Sequence, residues 1–202
     1  MEIREIERED ARAAALLHIE GQPGTFLTSL GVEFLTAFYA QLADSAHGYA
    51  FVATDSGRVL GIIAGTRDTH ALYKELLLKR GIHLAWPVAR RLLKAPFLLG
   101  RVFKSLFYPA KVHAKPEDAE FLFIGVATEA RRHGIGSRMF EALVAESQRR
   151  GAKRLLSTVE VTNDLSNAFH AKWGFAKIDT IELFGRPMNV YALPLVPSQA
   201  PS

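Results

Sequence analysis

Residues 121–143, FLFIGVATEARRHGIGSRMFEAL, constrain the fold more than any other part of the chain. Apolar and small residues run up to Val126 as in a buried strand, and a polar loop with two arginines and two glycines then leads into a helical pattern. The N–H groups at a helix start have no partner within the helix, and the helix dipole favours an anion there. The sequence therefore predicts an anion-binding loop, in which Gly134 and Gly136 lack the Cβ that would keep a ligand away from the backbone.

The remaining pattern predicts a single α/β domain over residues 1–194. The predicted strands are 2–6, 49–54, 59–65, 120–126, 154–161, 175–183 and 188–193, and the predicted helices are 8–19, 30–43, 135–150 and 163–172. The unit 120–161 requires a right-handed crossover, so its two strands should be parallel. We expect a mixed, mostly antiparallel central sheet with helices on both faces, followed by a disordered tail over residues 195–202.

Composition limits the setting of the protein. A chain of 202 residues that is 49% hydrophobic and 23% charged can bury one sizeable core. The absence of cysteine excludes disulfides and thiolate metal sites, so we predict a cytoplasmic protein without a metal. The N-terminal sequence MEIREIERED has acids where an export signal needs a basic and then an apolar run.

Residues 67–116 are predicted to form a basic helical insertion between the third and fourth strands. From residue 69 to 116 the chain contains ten Lys or Arg against the single acid Glu75, which gives this segment a net charge of +9 and leaves the rest at −5. At about 100° per residue, four of the cations fall within an arc of about 80°, although Pro96 makes the helical phase uncertain; they are Arg90, Lys94, Arg101 and Lys104. These charges exclude a membrane span. A membrane surface, an acidic or nucleic-acid partner, packing over a cleft and a simple solvated face are all left open.

Two well-known anion sites fit the glycine loop poorly. No GxxxxGK[ST] sequence is present, so the loop is not a Walker site. A dinucleotide fingerprint would need a third glycine where Met139 stands, and seven residues separate Val126 from Gly134 where a dinucleotide turn begins almost at the strand end.

The loop instead resembles the phosphate-binding motif VxPxxRxxGxG of the GNAT superfamily of acyl-CoA-dependent N-acetyltransferases, with Thr128 in the proline place. The later segment VEVTNDLSNAFHAKWGF resembles the family element VxxxNxxAxxxYxxxGF. The resemblance implies that Val126 and neighbouring backbone pair with the pantetheine of acetyl-CoA and that Asn163 contacts this cofactor, although Asn163 is also a good helix N-cap. It further implies that a run of seven residues holds the pyrophosphate: Arg131, Arg132, His133, Gly134, Ile135, Gly136 and Ser137.

Amide formation from a thioester needs a base, because an alkyl ammonium has a pKa of about 10. Glu120 is the candidate: it lies six residues before Val126, which by a period of two is the same strand face, and its position is similar to that of the catalytic glutamate of histone-acetylating relatives. A water-exposed strand-end acid is the alternative, and Glu160 is a weaker rival. For the developing oxyanion, the family resemblance implies a backbone N–H near Gly125 or Val126.

His170 stands where the family usually has a tyrosine that protonates the leaving thiolate. A histidine can hold a proton near neutral pH, so it can replace that donor. The alternative is an ordinary histidine on the helix surface.

These observations predict an N-acetyltransferase that joins an acetyl group to a primary amine by direct attack. The amine could be an amino sugar, a polyamine, a peptide N-terminus or an antibiotic, and the resemblance places it beside residues 21–29 and the hairpin around Phe184 and Gly185. We expect no specific nucleic-acid partner, and a homodimer is left open. The alternative is a non-catalytic CoA-binding module whose basic insertion docks on a membrane surface or an anionic polymer.

Overall fold

The described residues of the protein, which in this computed structural model are 1–95, 115–183 and 185–195, form one seven-stranded sheet. Its strands are β1 (Glu2–Glu5), β2 (Gly48–Asp55), β3 (Arg58–Thr66), β4 (Asp118–Val126), β5 (Arg154–Glu160), β6 (Ala176–Leu183) and β7 (Arg186–Pro194). Their order across the sheet is β1-β2-β3-β4-β5-β7-β6. The pair β4–β5 is parallel and the other described pairs are antiparallel, which confirms the predicted mixed sheet and its parallel pair.

The helices lie close to their predicted positions. They are α1 (Ala11–Gly21), α2 (Phe26–Ser29), α3 (Val32–Leu42), α4 (Thr69–Lys94), α5 (Ile135–Arg149) and α6 (Asp164–Lys172). Sequence reasoning missed α2 because it is one turn long, too short for a periodic signal. Its start is fixed by the side chain of Thr25, which accepts a hydrogen bond from the N–H of Thr28.

Helices cover both faces of the sheet, as predicted. On one face, the ring of Phe123 in β4 stacks on His18 of α1 with centroids 4.2 Å apart. On the other face, the ring of Phe121 lies 5.6 Å from Phe140 of α5. The buried side chains between these layers form one main hydrophobic core, in which Met139, Phe140 and Leu143 of α5 are fully buried.

The predicted insertion is described only in part. Helix α4 follows β3 and occupies residues 69–94, whereas residues 96–114, which include Arg101 and Lys104, lie outside the described residues. Residues 196–202 of the predicted tail and Phe184 of the predicted hairpin also lie outside them. Within the part of the chain that the structure describes, no helix is long and apolar enough to cross a membrane.

Candidate active site

The sheet opens into a wedge between β4 and β5. These two strands pair from Asp118 with Arg154 as far as Phe121 with Ser157. Beyond that point β4 continues along β3 to Val126, while β5 continues along β7. The open edge of β4 therefore offers main-chain groups to an extended ligand, in the way that an additional strand would be bound.

Glu120 and Val126 lie on opposite faces of the sheet, so the prediction that they share a face is wrong. Between Phe121 and Phe123, β4 contains one residue more than the facing stretch of β3. Such an extra residue shifts the alternation of side chains by one position. Glu120 consequently lies with Phe123 on the face covered by α1, whereas Val126 lies on the face covered by α5.

Strand alternation also shows which N–H groups face the wedge. The N–H of Ala127 donates to the carbonyl of Leu60 in β3, at 2.8 Å. Because N–H directions alternate along a strand, the N–H groups of Ile124 and Val126 point to the open side, and that of Gly125 points to β3. Of the two predicted oxyanion donors, Val126 is thus the one that faces the wedge.

The predicted anion loop ends at the start of α5. Gly134 is the N-cap of α5 and adopts a left-handed φ of 77°. Among the residues that the structure describes, no side chain caps this helix start, and its first turn contains no acid. A Cβ at Gly136 would stand 3.6 Å from Ile124 and 3.9 Å from Val126, so the packing of the protein does not require glycine here. The open N–H groups and the space beside them suit a phosphate.

The other loop residues divide into two groups. Arg132 and His133 are exposed, and Arg132 has a left-handed φ of 65°, which is uncommon outside glycine. The side chain of Ile135 is buried in the core, so only its N–H could meet a ligand, and Ser137 is half-buried. The exposed pair therefore directly precedes the helix-start N–H groups in the chain.

Arg131 has partners within the protein. Its Nε donates to the carbonyl of Val126 at 2.9 Å, and its NH2 group lies 3.3 Å from a carboxylate oxygen of Glu20. The same carboxylate accepts hydrogen bonds from the N–H and the hydroxyl of Thr128. Glu20, which sequence reasoning missed, therefore fixes the loop to the end of α1.

Asn163 caps α6, which was the alternative reading of this residue. Its Oδ1 accepts a hydrogen bond from the N–H of Ser166 at 3.1 Å. A second asparagine, Asn167, makes more hydrogen bonds to the segment between β5 and α6, and no sequence signal distinguished it. Its amide donates to the carbonyls of Glu160, Val161 and Asn163, and its oxygen accepts from Asn189 and Tyr191.

His170 lies at the point where β4 and β5 separate. It is 1% exposed, so the expectation of an ordinary surface histidine is wrong. Its ring stacks on Phe121 and Tyr191, with centroids 5.6 and 5.0 Å away. Its Nε2 lies 2.9 Å from Oγ of Ser157, and burial lowers its pKa.

Glu120 is buried, at 5% exposure, so the water-exposed alternative is wrong as well. Its carboxylate accepts a hydrogen bond from the hydroxyl of Thr69, the first residue of α4. Burial, and secondarily the Glu120 charge, raise the pKa of Tyr73 on the next turn. The two predicted catalytic side chains therefore lie on opposite faces of the sheet, with Glu120 on the face covered by α1 and α4 and His170, a residue of α6, on the face covered by α5.

The α1–α2 loop spans the open end of the wedge. Arg186 of β7 donates to the carbonyl of Gly24 at 3.1 Å and lies 2.9 Å from a carboxylate oxygen of Glu160 at the end of β5. Glu20, as described above, holds the other end of this loop to the β4–α5 segment. Sequence reasoning missed Arg186, since a single arginine after a hairpin glycine gives no specific signal.

Comparison with known proteins identifies the family of this chain. The family model of the acetyltransferase (GNAT) family matches residues 16–175. The chain belongs to this family. The match covers the wedge, the glycine loop and the Asn163 helix, and it confirms the resemblance seen in the two motifs. No curated protein sequence matches the chain at significant similarity.

Solved GNAT structures share the fold. An N-acetyltransferase from Staphylococcus aureus Mu50 superposes with a TM-score of 0.63 at 18% identity, covering 96% of this chain and 98% of that one. The ribosomal-protein-alanine N-acetyltransferase of Brucella melitensis gives 0.63 at 16% identity, covering 96% and 100%. The protein yncA of Salmonella typhimurium, solved with its cofactor acetyl-CoA, gives 0.60 at 15% identity, covering 100% and 97%. Within the described residues, no group of three or more His, Asp or Glu side chains could hold a metal ion.

Proposed function

We propose that the protein transfers an acetyl group from acetyl-CoA to a primary amine by direct attack. The observation that carries this proposal is the wedge between β4 and β5, with an uncapped helix N-terminus at its mouth. An extended chain along the open edge of β4 and a phosphate at α5 match the two ends of a CoA thioester. The bound cofactor of yncA supports the same assignment.

The cofactor-binding residues are proposed from this fit. The N–H groups of Ile135, Gly136 and Ser137 would hold the pyrophosphate, with Arg132 and His133 exposed beside it. Arg131 would act mainly by shaping the loop, because its guanidinium already bonds Val126 and Glu20. Asn163 would contribute by placing the start of α6 at the opposite side of the wedge.

The chemistry is assigned to groups on both faces. When bound, acetyl-CoA supplies a thioester carbonyl that the amine attacks. Glu120 would take the proton of the incoming ammonium, since it is an acid held on the α1 face with one oxygen fixed by Thr69. The N–H of Val126 would donate to the carbonyl oxygen as negative charge develops there.

Departure of the thiolate depends less on catalysis than deprotonation of the amine does. A thiol of pKa about 8.5 leaves without a strong acid, so the contribution of a proton donor is modest. His170 is proposed for this role because it lies at the inner end of the wedge, beside Ser157 and Phe121.

A panel of amines tests the proposal, with acetyl-CoA as donor and CoA release followed by free thiol. We expect at least one primary amine to give turnover that Glu120→Gln reduces strongly. The non-catalytic alternative predicts binding of CoA without turnover for every amine, and it gives no reason for a buried carboxylate on the α1 face.

A further inference from the structure

Helix α4 leaves a strip of large apolar side chains uncovered. Leu78 is 72% exposed, Trp86 is 69% exposed and Leu93 is 86% exposed. At about 100° per residue these three fall within an arc of about 80°, and the exposed Ala85 and Ala89 lie in or next to the same arc. Large exposed apolar groups that align on one helix face mark a surface that binds something.

Other sides of α4 face the protein. Leu72 and Leu76 in its first turns are 2% and 5% exposed, and they lie about 80° and 120° around the helix from the middle of the strip. Further along, Nε of Arg91 donates to the carbonyl of Ser29 at 2.9 Å, and Arg91 lies about 180° around the helix from the middle of the strip. Near Trp86 and Leu93 the strip therefore points away from Ser29, the last residue of α2.

Cations flank the strip. Lys74 and Arg90 are exposed and lie on its two sides. In sequence, α4 has six Lys or Arg and one acid, Glu75, so its net charge is +5. By position Glu75 lies within the arc of the strip, but its carboxylate accepts a hydrogen bond from the hydroxyl of Ser45 at 2.7 Å, which turns it toward the body of the protein.

We propose that this face of α4 docks on an anionic lipid surface. An amphipathic helix with tryptophan and leucine on one face and Lys or Arg beside them lies in the interface plane of a bilayer, with the apolar residues in the headgroup region. Leucines offer nothing to the bases of a nucleic acid, which prefer stacking aromatic partners. A second copy docked symmetrically on the same face would bring two helices of charge +5 together.

The helix that carries the strip contacts the proposed acceptor side of the site with its other side. Thr69, the first residue of α4, donates a hydrogen bond to Glu120. In the later turns, Arg91 donates to the carbonyl of Ser29 in the segment that leads into α3. Docking would therefore hold the α1 face near the bilayer. The inference does not depend on acyl transfer, since its test measures binding alone.

Sedimentation with vesicles tests it, using phosphatidylcholine with phosphatidylglycerol against phosphatidylcholine alone. We expect binding to the anionic vesicles, a blue shift of tryptophan emission, and loss of binding as salt rises. Trp86→Ser with Leu93→Ser should weaken binding by about tenfold or more, and Arg90→Glu should weaken it by a smaller factor. Ile178→Ser and Lys177→Glu, exposed positions on β6, are the matched controls and should bind like the wild type.

Four outcomes would overturn the proposal. They are no binding at low salt, equal binding to neutral vesicles, equal binding by the strip variants, and self-association that Trp86→Ser abolishes in light scattering. Binding of polynucleotide, lost in Arg90→Glu but kept in the apolar variants, would assign the face to nucleic acid instead. Because the substituted side chains are exposed, each variant should keep the wild-type melting temperature, which verifies that it is folded.

Discussion

Nε2 of His170 lies 2.9 Å from the hydroxyl oxygen of Ser157, at the last residue pair before β4 and β5 separate. The other ring nitrogen, Nδ1, lies 2.7 Å from the carbonyl oxygen of Ser166. A carbonyl can only accept, so Nδ1 carries a proton. Burial lowers the pKa of His170, so the ring is neutral at pH 7 and Ser157 donates to a bare Nε2. As a proton donor the ring must therefore first gain a proton at Nε2.

This geometry gives the acid role of His170 a specific pH dependence. His170→Ala should lower kcat by about 10² or less, with little change in CoA affinity, and His170→Tyr should recover part of the loss. If the protonated ring is the donor, the ratio of wild-type kcat to that of His170→Tyr should increase as pH falls from 8 to 6. A ratio that does not change with pH would assign His170 to packing between Phe121 and Tyr191.

In the His170 variants, a decrease in kcat caused by unfolding must be distinguished from a decrease caused by loss of the proton donor. Replacing a buried aromatic side chain by alanine costs about 3–5 kcal/mol, because a cavity remains. Kinetics are therefore to be measured well below each melting temperature, and the number of CoA molecules bound per chain at saturation gives the fraction of folded protein.

Local sequence patterns predicted most of the fold. Hydrophobic period and glycine position predicted three features: the strand that ends at Val126, the helix that begins after Gly134, and the parallel crossover to β5. The family motifs also identified Asn163 and His170 as candidate site residues, and these roles remain predictions. These signals are local, and the family model matches the same region.

Long-range features could not be predicted in the same way. The extra residue in β4 moves Glu120 to the other face from Val126, and it exists only in the pairing of β4 with β3. The contacts of Glu20 with Thr128 and of Arg186 with Gly24 join residues more than 100 positions apart in the chain. A regular period of two and single charged residues contain no information about such pairings.

Gly136 should be essential for CoA but not for the fold. Since a Cβ at this position meets Ile124 and Val126 only at ordinary contact distance, Gly136→Asp should fold, and an acid in the first turn of α5 favours the helix. CoA at a hundred times its Kd should stabilise the wild type by about 2.7 kcal/mol, and the variant should lose most of this. Thermal melts with and without CoA measure both effects.

Ala145→Asp is the control, as it adds the same charge at an exposed position on the same helix. It should keep the full CoA shift. A normal shift in Gly136→Asp would remove the pyrophosphate from the start of α5, and a shift with NAD but not with CoA would favour a dinucleotide.

Glu120→Gln should lower kcat by about 10²–10⁴ and leave CoA affinity unchanged, because it removes the base without changing side-chain size. Thr69→Val removes the hydroxyl that holds the carboxylate and should cost about tenfold or less. Steady-state rates at saturating acetyl-CoA measure both. Glu129→Gln, an exposed acid on the β4–α5 loop, should behave like the wild type. Turnover of Glu120→Gln within about threefold of wild type would return the role of base to another group, with Glu160 as the first candidate.

His18 should make the protein less stable as pH falls below 6.5. It is 2% exposed, its Nδ1 lies 2.8 Å from the hydroxyl of Tyr39, and burial lowers its pKa from 6.5 to about 4. Between those values the unfolded chain binds a proton that the folded protein does not, so stability decreases with falling pH and is unaffected above this window. The loss from pH 7 to pH 5 should be about 2 kcal/mol in urea unfolding.

The double variant His18→Phe with Tyr39→Phe removes both the titrating ring and its hydroxyl partner. It should show a much smaller loss between pH 7 and pH 5. His170 and the ion-paired carboxylates of Asp10, Asp118 and Glu146, whose pKa values are also lowered, still contribute in the same direction. His70→Gln, at an exposed position on α4, should keep the wild-type pH dependence. An unchanged pH dependence in the double variant would show that His18 does not cause it.

Arg186 should influence the choice of amine without affecting CoA. It joins the α1–α2 loop at Gly24 to Glu160 at the end of β5, so its removal frees the loop that closes the wedge on the acceptor side. Arg186→Leu and Phe26→Ala should each change the ranking of amines by kcat/KM, while the melting shift with CoA stays that of the wild type. Arg58→Leu, which breaks an exposed ion pair with Glu129, is the control and should leave the ranking unchanged. If neither Arg186→Leu nor Phe26→Ala alters the ranking, the amine does not bind against the α1–α2 loop, and residues 67–116 become the next part of the chain to substitute.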